Sequence, residues 1–205
     1  AHTVSVSCCP IEIGEVKKVH AYRIAEIPKW GNWFRKPEVG GGTLYDLHIH
    51  DLDYIYSLFG NPAEVYARGE RGEYGAWDAL TSTLTWEQMT ATIETDWIHP
   101  RGFPFQFGIR LRGTKATLQY SFEVSGNVEA KDAAAEKLLH ITPGNVEELD
   151  CSGIPDGYTA EIAYITDCVR EDKPVEIATI DEAIEVLRLV DKEQKSLETG
   201  ERSIV

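Results

Sequence analysis

The stretch Phe103 to Phe122, FPFQFGIRLRGTKATLQYSF, decides the fold class. Phe103, Phe105, Phe107, Ile109 and Leu111 alternate with Pro104, Gln106, Gly108, Arg110 and Arg112, and beyond Gly113 the apolar set continues at Ala116, Leu118, Tyr120 and Phe122. A period of two puts successive side chains on opposite faces of a strand, so the pattern predicts a hairpin with one apolar and one mixed face. Working upstream, DALTSTLTW sets Leu80, Leu84 and Trp86 against Thr81, Thr83 and Thr85, and ATIETDW alternates likewise, which predicts a second hairpin. A further strand is expected from Val16 to Ile27, where β-branched and aromatic residues cluster. Between Gly126 and Asp150 the segment AAAEKLLHI fits a short helix or a strand, and short strands are the reading adopted.

Helices are expected early and late. LYDLHIHDLDYIYSLFG places Leu44, Leu47, Leu52, Ile55, Leu58 and Phe59 at steps of one to five, mostly three to five, and Gly60 with Pro62 stops it. Two more run from Tyr158 to Arg170 and from Ile180 to Leu197, the second opened by Thr179 with Glu182 three residues on, the spacing of a capping box. Strands in the middle without βαβ alternation give an α+β class: an open, mostly antiparallel β-sheet with helices packed on one face. The uncovered face, with Thr, Gln and Arg side chains, is expected to pair with a second copy, giving a homo-oligomer through the open sheet face.

At 205 residues the chain is read as one domain over 11–205, preceded by an atypical N-terminal segment over 1–10. Twenty basic against 34 acidic residues give a net charge of −14, which repels phosphate backbones and anionic membrane surfaces, so nucleic acid and membrane are excluded as expected partners. No apolar run approaches the roughly 20 residues that span a bilayer, and AHTVSVSCCP lacks the basic and apolar regions of a signal peptide. A cytoplasmic location is expected. Cys8, Cys9, Cys151 and Cys168 lack the spacing of a metal site and are read as reduced thiols.

The most chemistry lies in GGGTLYDLHIHDLDYIYSLFG, residues 40–60. In a helix each residue advances about 100°, so Asp46 and His50 share a face, with Asp53 and Ser57 nearby, while His48 points away and reads as a core histidine. A carboxylate that orients an imidazole makes a base suited to taking the proton of an alcohol. The two imidazoles of HIH diverge on a helix, which argues against a metal pair; DLHIHD also resembles amidohydrolases, but their barrel needs about 250 residues. The preceding Gly41 and Gly42 allow close backbone approach by a polar substrate, and Trp30, Trp33, Arg35 and Lys36 combine aromatic faces with donors, as sugar-gripping loops do.

Five stretches, taken in order, resemble the C-terminal domain of the glucose–fructose oxidoreductase, inositol dehydrogenase and MocA group of NAD(P)-dependent oxidoreductases. They are IGEV at Ile13 to Val16, the segment over 40–60, GIRLRGTKATL at Gly108 to Leu118, the Tyr158 to Val169 helix, and IDEAIEVLRLVDKEQKSLETGE. The resemblance implies a dihydrodipicolinate-reductase-like sheet domain, and a DxxxH motif, here Asp46 and His50, in which the histidine exchanges a proton with the substrate hydroxyl. It also implies a sugar or polyol substrate and NAD or NADP in the full-length enzyme. The family's Rossmann domain, with its glycine fingerprint and the lysine of an EKP motif, has no counterpart in these residues. The chain is therefore expected to be the substrate-binding half, inactive alone and with no cofactor bound to it, served by a Rossmann domain in trans or by one in the missing part of the gene. The alternative is a non-catalytic sugar-binding or dimerisation module of the same fold.

Overall fold

The structure is a computed structural model that describes residues 2–6, 9–124 and 134–205, with side chains described over 11–124 and 135–205. Its strands are β1 (His2–Val6), β2 (Cys9–Gly14), β3 (Val16–Ile24), β4 (Glu64–Arg71), β5 (Trp77–Thr85), β6 (Thr90–Asp96), β7 (Phe105–Gly113), β8 (Thr117–Val124), β9 (Ala134–Thr142), β10 (Asn145–Glu148) and β11 (Ser203–Ile204). The helices are the single turn α1 (Pro37–Gly40), α2 (Ile49–Phe59), α3 (Gly157–Arg170) and α4 (Ile180–Thr199); a π-helical turn (Leu44–His48) leads into α2.

Alternation in the sequence becomes one continuous inner face. Val19 and Ala21 of β3 stand in register with Leu111 and Ile109 of β7 on one side and with Ala91 and Ile93 of β6 on the other. The row continues through Leu84 and Ser82 of β5 to Val65 and Ala67 of β4. The full nine-stranded order is β10-β9-β8-β7-β3-β6-β5-β4-β11, while β1 and β2 pair separately. Each neighbouring pair is antiparallel except β3 and β6, which are parallel because the chain between them passes through α1 and α2 and then the β4–β5 hairpin.

Helices α2 and α4 cover the β3 to β4 part of this face. Leu52 and Ile55 of α2 and Val186, Leu189, Val190 and Leu197 of α4 are buried there. Complete burial of such a side chain contributes about 1.5–3 kcal/mol. The capping box opens α4: the Thr179 hydroxyl accepts from Glu182 N at 3.2 Å, and the Glu182 carboxylate accepts from Thr179 N at 2.7 Å. Ser196 ties the helix to the sheet by accepting from Ala67 N at 2.9 Å. On the outer face Lys18, Thr81, Glu94, Arg110 and Arg112 are exposed, the polar alternates of the same strands.

The α+β class, the open and mostly antiparallel sheet and both hairpins are present as expected. Four details differ. The first strand ends at Ile24 rather than Ile27, since only a bridge from Glu26 to Ile98 continues it. The loop over 28–37 contains a 3-10 turn (Asn32–Arg35) and the start of α1. The EVYARGER segment is strand β4, whose charged second half, Arg68 to Arg71, hid its alternation. Within 126–150, AAEKLLHIT forms the nine-residue strand β9, longer than the short strands expected; 126–133 lie outside the described residues. Cys151 and Cys168 are thiols, Cys9 lies in β2, and Cys8 lies outside the described residues. No helix of the described residues is long and apolar enough to cross a membrane.

Candidate active site

The glycine run fixes how the Asp46 helix begins. Gly41 and Gly42 adopt φ of 70° and 75°, the left-handed region in which a Cβ is strained. A Cβ on Gly42 would also lie 2.6 Å from both the Ala76 Cβ and the Trp77 carbonyl oxygen. That close approach lets the Thr43 hydroxyl donate to the same carbonyl at 2.9 Å, which pins the chain where the π-helical turn starts. Such single turns insert one extra residue per turn and recur at functional sites.

Across this turn the histidines separate as their spacing predicts. His50 is exposed, whereas His48 is wholly buried against the sheet and α4. His48 Nδ1 lies 2.9 Å from Thr95 Oγ1, and Nε2 lies 3.1 Å from Glu193 Oε1 and 3.3 Å from Ser82 Oγ. Glu193 is also wholly buried. On the solvent side, burial pushes the Asp46 carboxyl above its ordinary value and His50 draws it partly back. Asp53, one turn further on, is also raised by burial and by Glu182 at the start of α4, again with His50 opposing. His50 thus stands between two carboxylates, Asp46 and Asp53, that its positive form would hold ionised.

A second polar pair lies on the sheet side of the same helix. Arg23 of β3 donates to both oxygens of Asp51, Nε to Oδ2 at 2.9 Å and Nη2 to Oδ1 at 3.0 Å, and its guanidinium lies 4.6 Å from the centre of the Phe107 ring. This planar two-point contact fixes α2 relative to β3 and β7 next to His50. The sequence reading missed it. The available signal was Arg23 itself, in phase with Val19 and Ala21 and therefore directed inward, where a charge needs a partner.

The model of the GFO/IDH/MocA C-terminal domain matches residues 11–119, just over half of the chain and the part that holds α2, β3 to β7 and the start of β8. The chain belongs to this family. The D-glucoside 3-dehydrogenase of Escherichia coli is 30% identical over 89 residues, 38% of this chain and 25% of that protein. An oxidoreductase of Desulfitobacterium hafniense, assigned NADPH dependence, superposes with a TM-score of 0.77 at 26% identity, covering 94% of this chain and 57% of its own. An Agrobacterium radiobacter oxidoreductase solved with NAD+, L-tartaric acid and magnesium gives 0.67 at 19% identity, covering 94% and 57%. The chain thus spans little more than half the length of these solved relatives.

In this GFO/IDH/MocA domain the expected sugar-gripping loop packs beside the Asp46 turn. Trp30 and Trp33 are exposed and meet edge-on at 5.4 Å, and both contact Phe34, which is buried against Trp97. Leu47, the neighbour of Asp46, belongs to the same cluster. Arg35 and Lys36 follow on the 3-10 turn and its cap. Gly41 and Gly42, by contrast, are filled from within: a Cβ on Gly41 would strike the Tyr45 ring at 2.7 Å. Glycine is required at both positions, and the run lacks the spacing of a dinucleotide fingerprint, so no step through a nicotinamide is derived from these residues. A cavity of about 520 Å³ lies apart from all of these side chains, lined among others by Glu136, Glu148, Asp150 and Cys151.

Asp78 sits directly behind the glycine run, buried, with Oδ1 unpartnered and its carboxyl pushed up by burial against a smaller opposing effect of Trp97. A group whose folded value is raised above its unfolded one contributes stability at low pH that is lost as pH rises through the folded value. Asp78→Asn is thus expected to raise the melting temperature at neutral pH, with the gain vanishing below about pH 4, where the wild-type carboxyl is neutral in both states. Thermal melts across pH check this; a variant less stable at neutral pH would contradict it.

Proposed function

We propose that this chain is the substrate-binding half of an NAD(P)-dependent oxidoreductase acting on a sugar or polyol hydroxyl. The observation that carries the reading is the placement of Asp46 and His50 on the solvent side of one helix, beside the Trp30 and Trp33 loop. His50 takes the hydroxyl proton as the carbinol carbon is oxidised, and Asp46 holds the resulting imidazolium. The two tryptophans offer apolar ring faces to the C–H side of a sugar, with Arg35 and Lys36 as donors to its hydroxyls. No side chain accepts hydride, so the acceptor belongs to a nicotinamide held by another domain. The polar outer sheet face is the surface we assign to pairing with a second copy.

The test joins this chain to the N-terminal domain of the Desulfitobacterium hafniense relative and follows NAD(P)H formation with a panel of aldoses, glucosides and polyols. Substrate-dependent turnover that falls on His50→Ala is expected. Failure across the whole panel, with folding of the fusion verified, would leave the non-catalytic alternative.

A further inference from the structure

We propose that His48 is a positioning residue for the reaction proposed above, on which the inference rests. Its buried ring, held by Glu193, Thr95 and Ser82, fixes the π-helical turn that carries Asp46 and thereby aligns the Asp46 carboxylate with His50. His48 is the last residue of that turn, Leu44–His48, and Asp46 lies at its middle. A π turn is rare and the α-helical turn is the default, so something outside the turn must hold it.

Both ends are held from outside. At the start the Thr43 hydroxyl donates to the Trp77 carbonyl of β5 at 2.9 Å. At the end the His48 ring meets three separate elements: Nδ1 lies 2.9 Å from Thr95 Oγ1 of β6, and Nε2 lies 3.1 Å from Glu193 Oε1 of α4 and 3.3 Å from Ser82 Oγ of β5. With the ring proton on Nε2, that nitrogen donates to the Glu193 carboxylate and Nδ1 accepts from the Thr95 hydroxyl, so one tautomer satisfies both nitrogens. Because both ends are tied to the sheet, the residues between, 44–47, take up the extra backbone as the wider turn. Asp46 goes where that turn puts it.

Stability does not account for the pair. His48 and Glu193 are wholly buried, and among the described residues Glu193 Oε2 has no hydrogen-bond partner. Burying such a carboxyl is costly, and apolar side chains of similar volume often hold a core as well or better. What a hydrogen-bonded ring supplies and a leucine does not is one fixed position, since apolar contact is non-directional. His48 stands two residues from Asp46 and two from His50, so a shift of its ring disturbs both. Misplacement of reacting groups by about 1 Å can cost about 10²-fold in rate.

The double variant His48→Leu with Glu193→Met tests this in two ways. Crystal structures of the chain alone are expected to show its π turn relaxed to an α-helical turn and the Asp46 carboxylate displaced from His50, with a melting temperature near that of wild type. In the fusion with the Desulfitobacterium hafniense N-terminal domain, kcat should fall about 10²-fold with little change in KM, as for a group that acts on transition-state geometry alone. Glu193→Gln keeps an acceptor for the ring and should retain most of the wild-type kcat. Thr95→Val, which removes only the Nδ1 anchor, reads the same two quantities where the double variant does not fold, and should move both in the same direction by less. A folded variant that keeps the π turn and the Asp46 position, or that turns over like wild type, would overturn the proposal, as would an equal fall in kcat for Glu193→Gln. A fusion silent in the wild type would reject the reaction, and the position of Asp46 in the two crystals would still decide whether His48 sets it.

Discussion

Glu193→Ala is expected to lower the unfolding free energy by about 1–3 kcal/mol, the cost of leaving a buried hydrogen-bonding group without its partner. The effect is large because nothing replaces the lost acceptor. His48 and Glu193 are both wholly buried between the π-helical turn, the sheet and α4, and His48 Nε2 would keep only Ser82 Oγ at 3.3 Å. Glu193→Gln retains a carbonyl oxygen for the same contact and should cost about 1 kcal/mol, near that of one weakened hydrogen bond. Replacing both residues by apolar ones, His48→Leu with Glu193→Met, should recover most of the loss, because desolvation of both groups is then avoided. Denaturant titrations of the wild type, His48→Leu, Glu193→Met and the double variant close the cycle; additive losses in the double variant would show that the two side chains do not act as a pair.

That pair also shows where sequence reasoning stops. Helical spacing correctly separated His48 from His50 and assigned the former to the core, because a fixed angular step is a local property of the chain. Its partner, 145 residues away on α4, could not be read from spacing. On α4 itself Glu193 lies among Leu189, Val190, Ser196 and Leu197 on the buried side, so its inward direction was legible and its reason was not. The same limit separates the hairpins, whose alternation is local, from the parallel β3–β6 pairing, which depends on the path of the intervening 65 residues, 25–89. Asp46, His50 and the tryptophan loop were legible as residue types in a pattern. Arg23 with Asp51, and Asp78 behind the glycines, required the register of the sheet.

In the fusion proposed above, His50→Ala is expected to reduce kcat/KM by about 10²- to 10⁴-fold, the range of a lost general base, with the fall in kcat because the proton moves only in the transition state. Asp46→Asn should act in opposite directions on rate and stability. Burial raises the Asp46 carboxyl, so its ionised form costs the folded state free energy at neutral pH, and His50 offsets only part of that cost. Stability linked to a raised carboxyl is present below its unfolded value and is lost as pH climbs through the folded one. The asparagine variant should therefore melt slightly higher than wild type at neutral pH and match it below about pH 4, while turning over more slowly because the imidazolium has lost its counter-charge. Melting curves and pH–rate profiles on one set of proteins read both effects. A variant that loses stability together with activity would assign Asp46 to the scaffold and leave His50 without the carboxylate on which its chemistry depends.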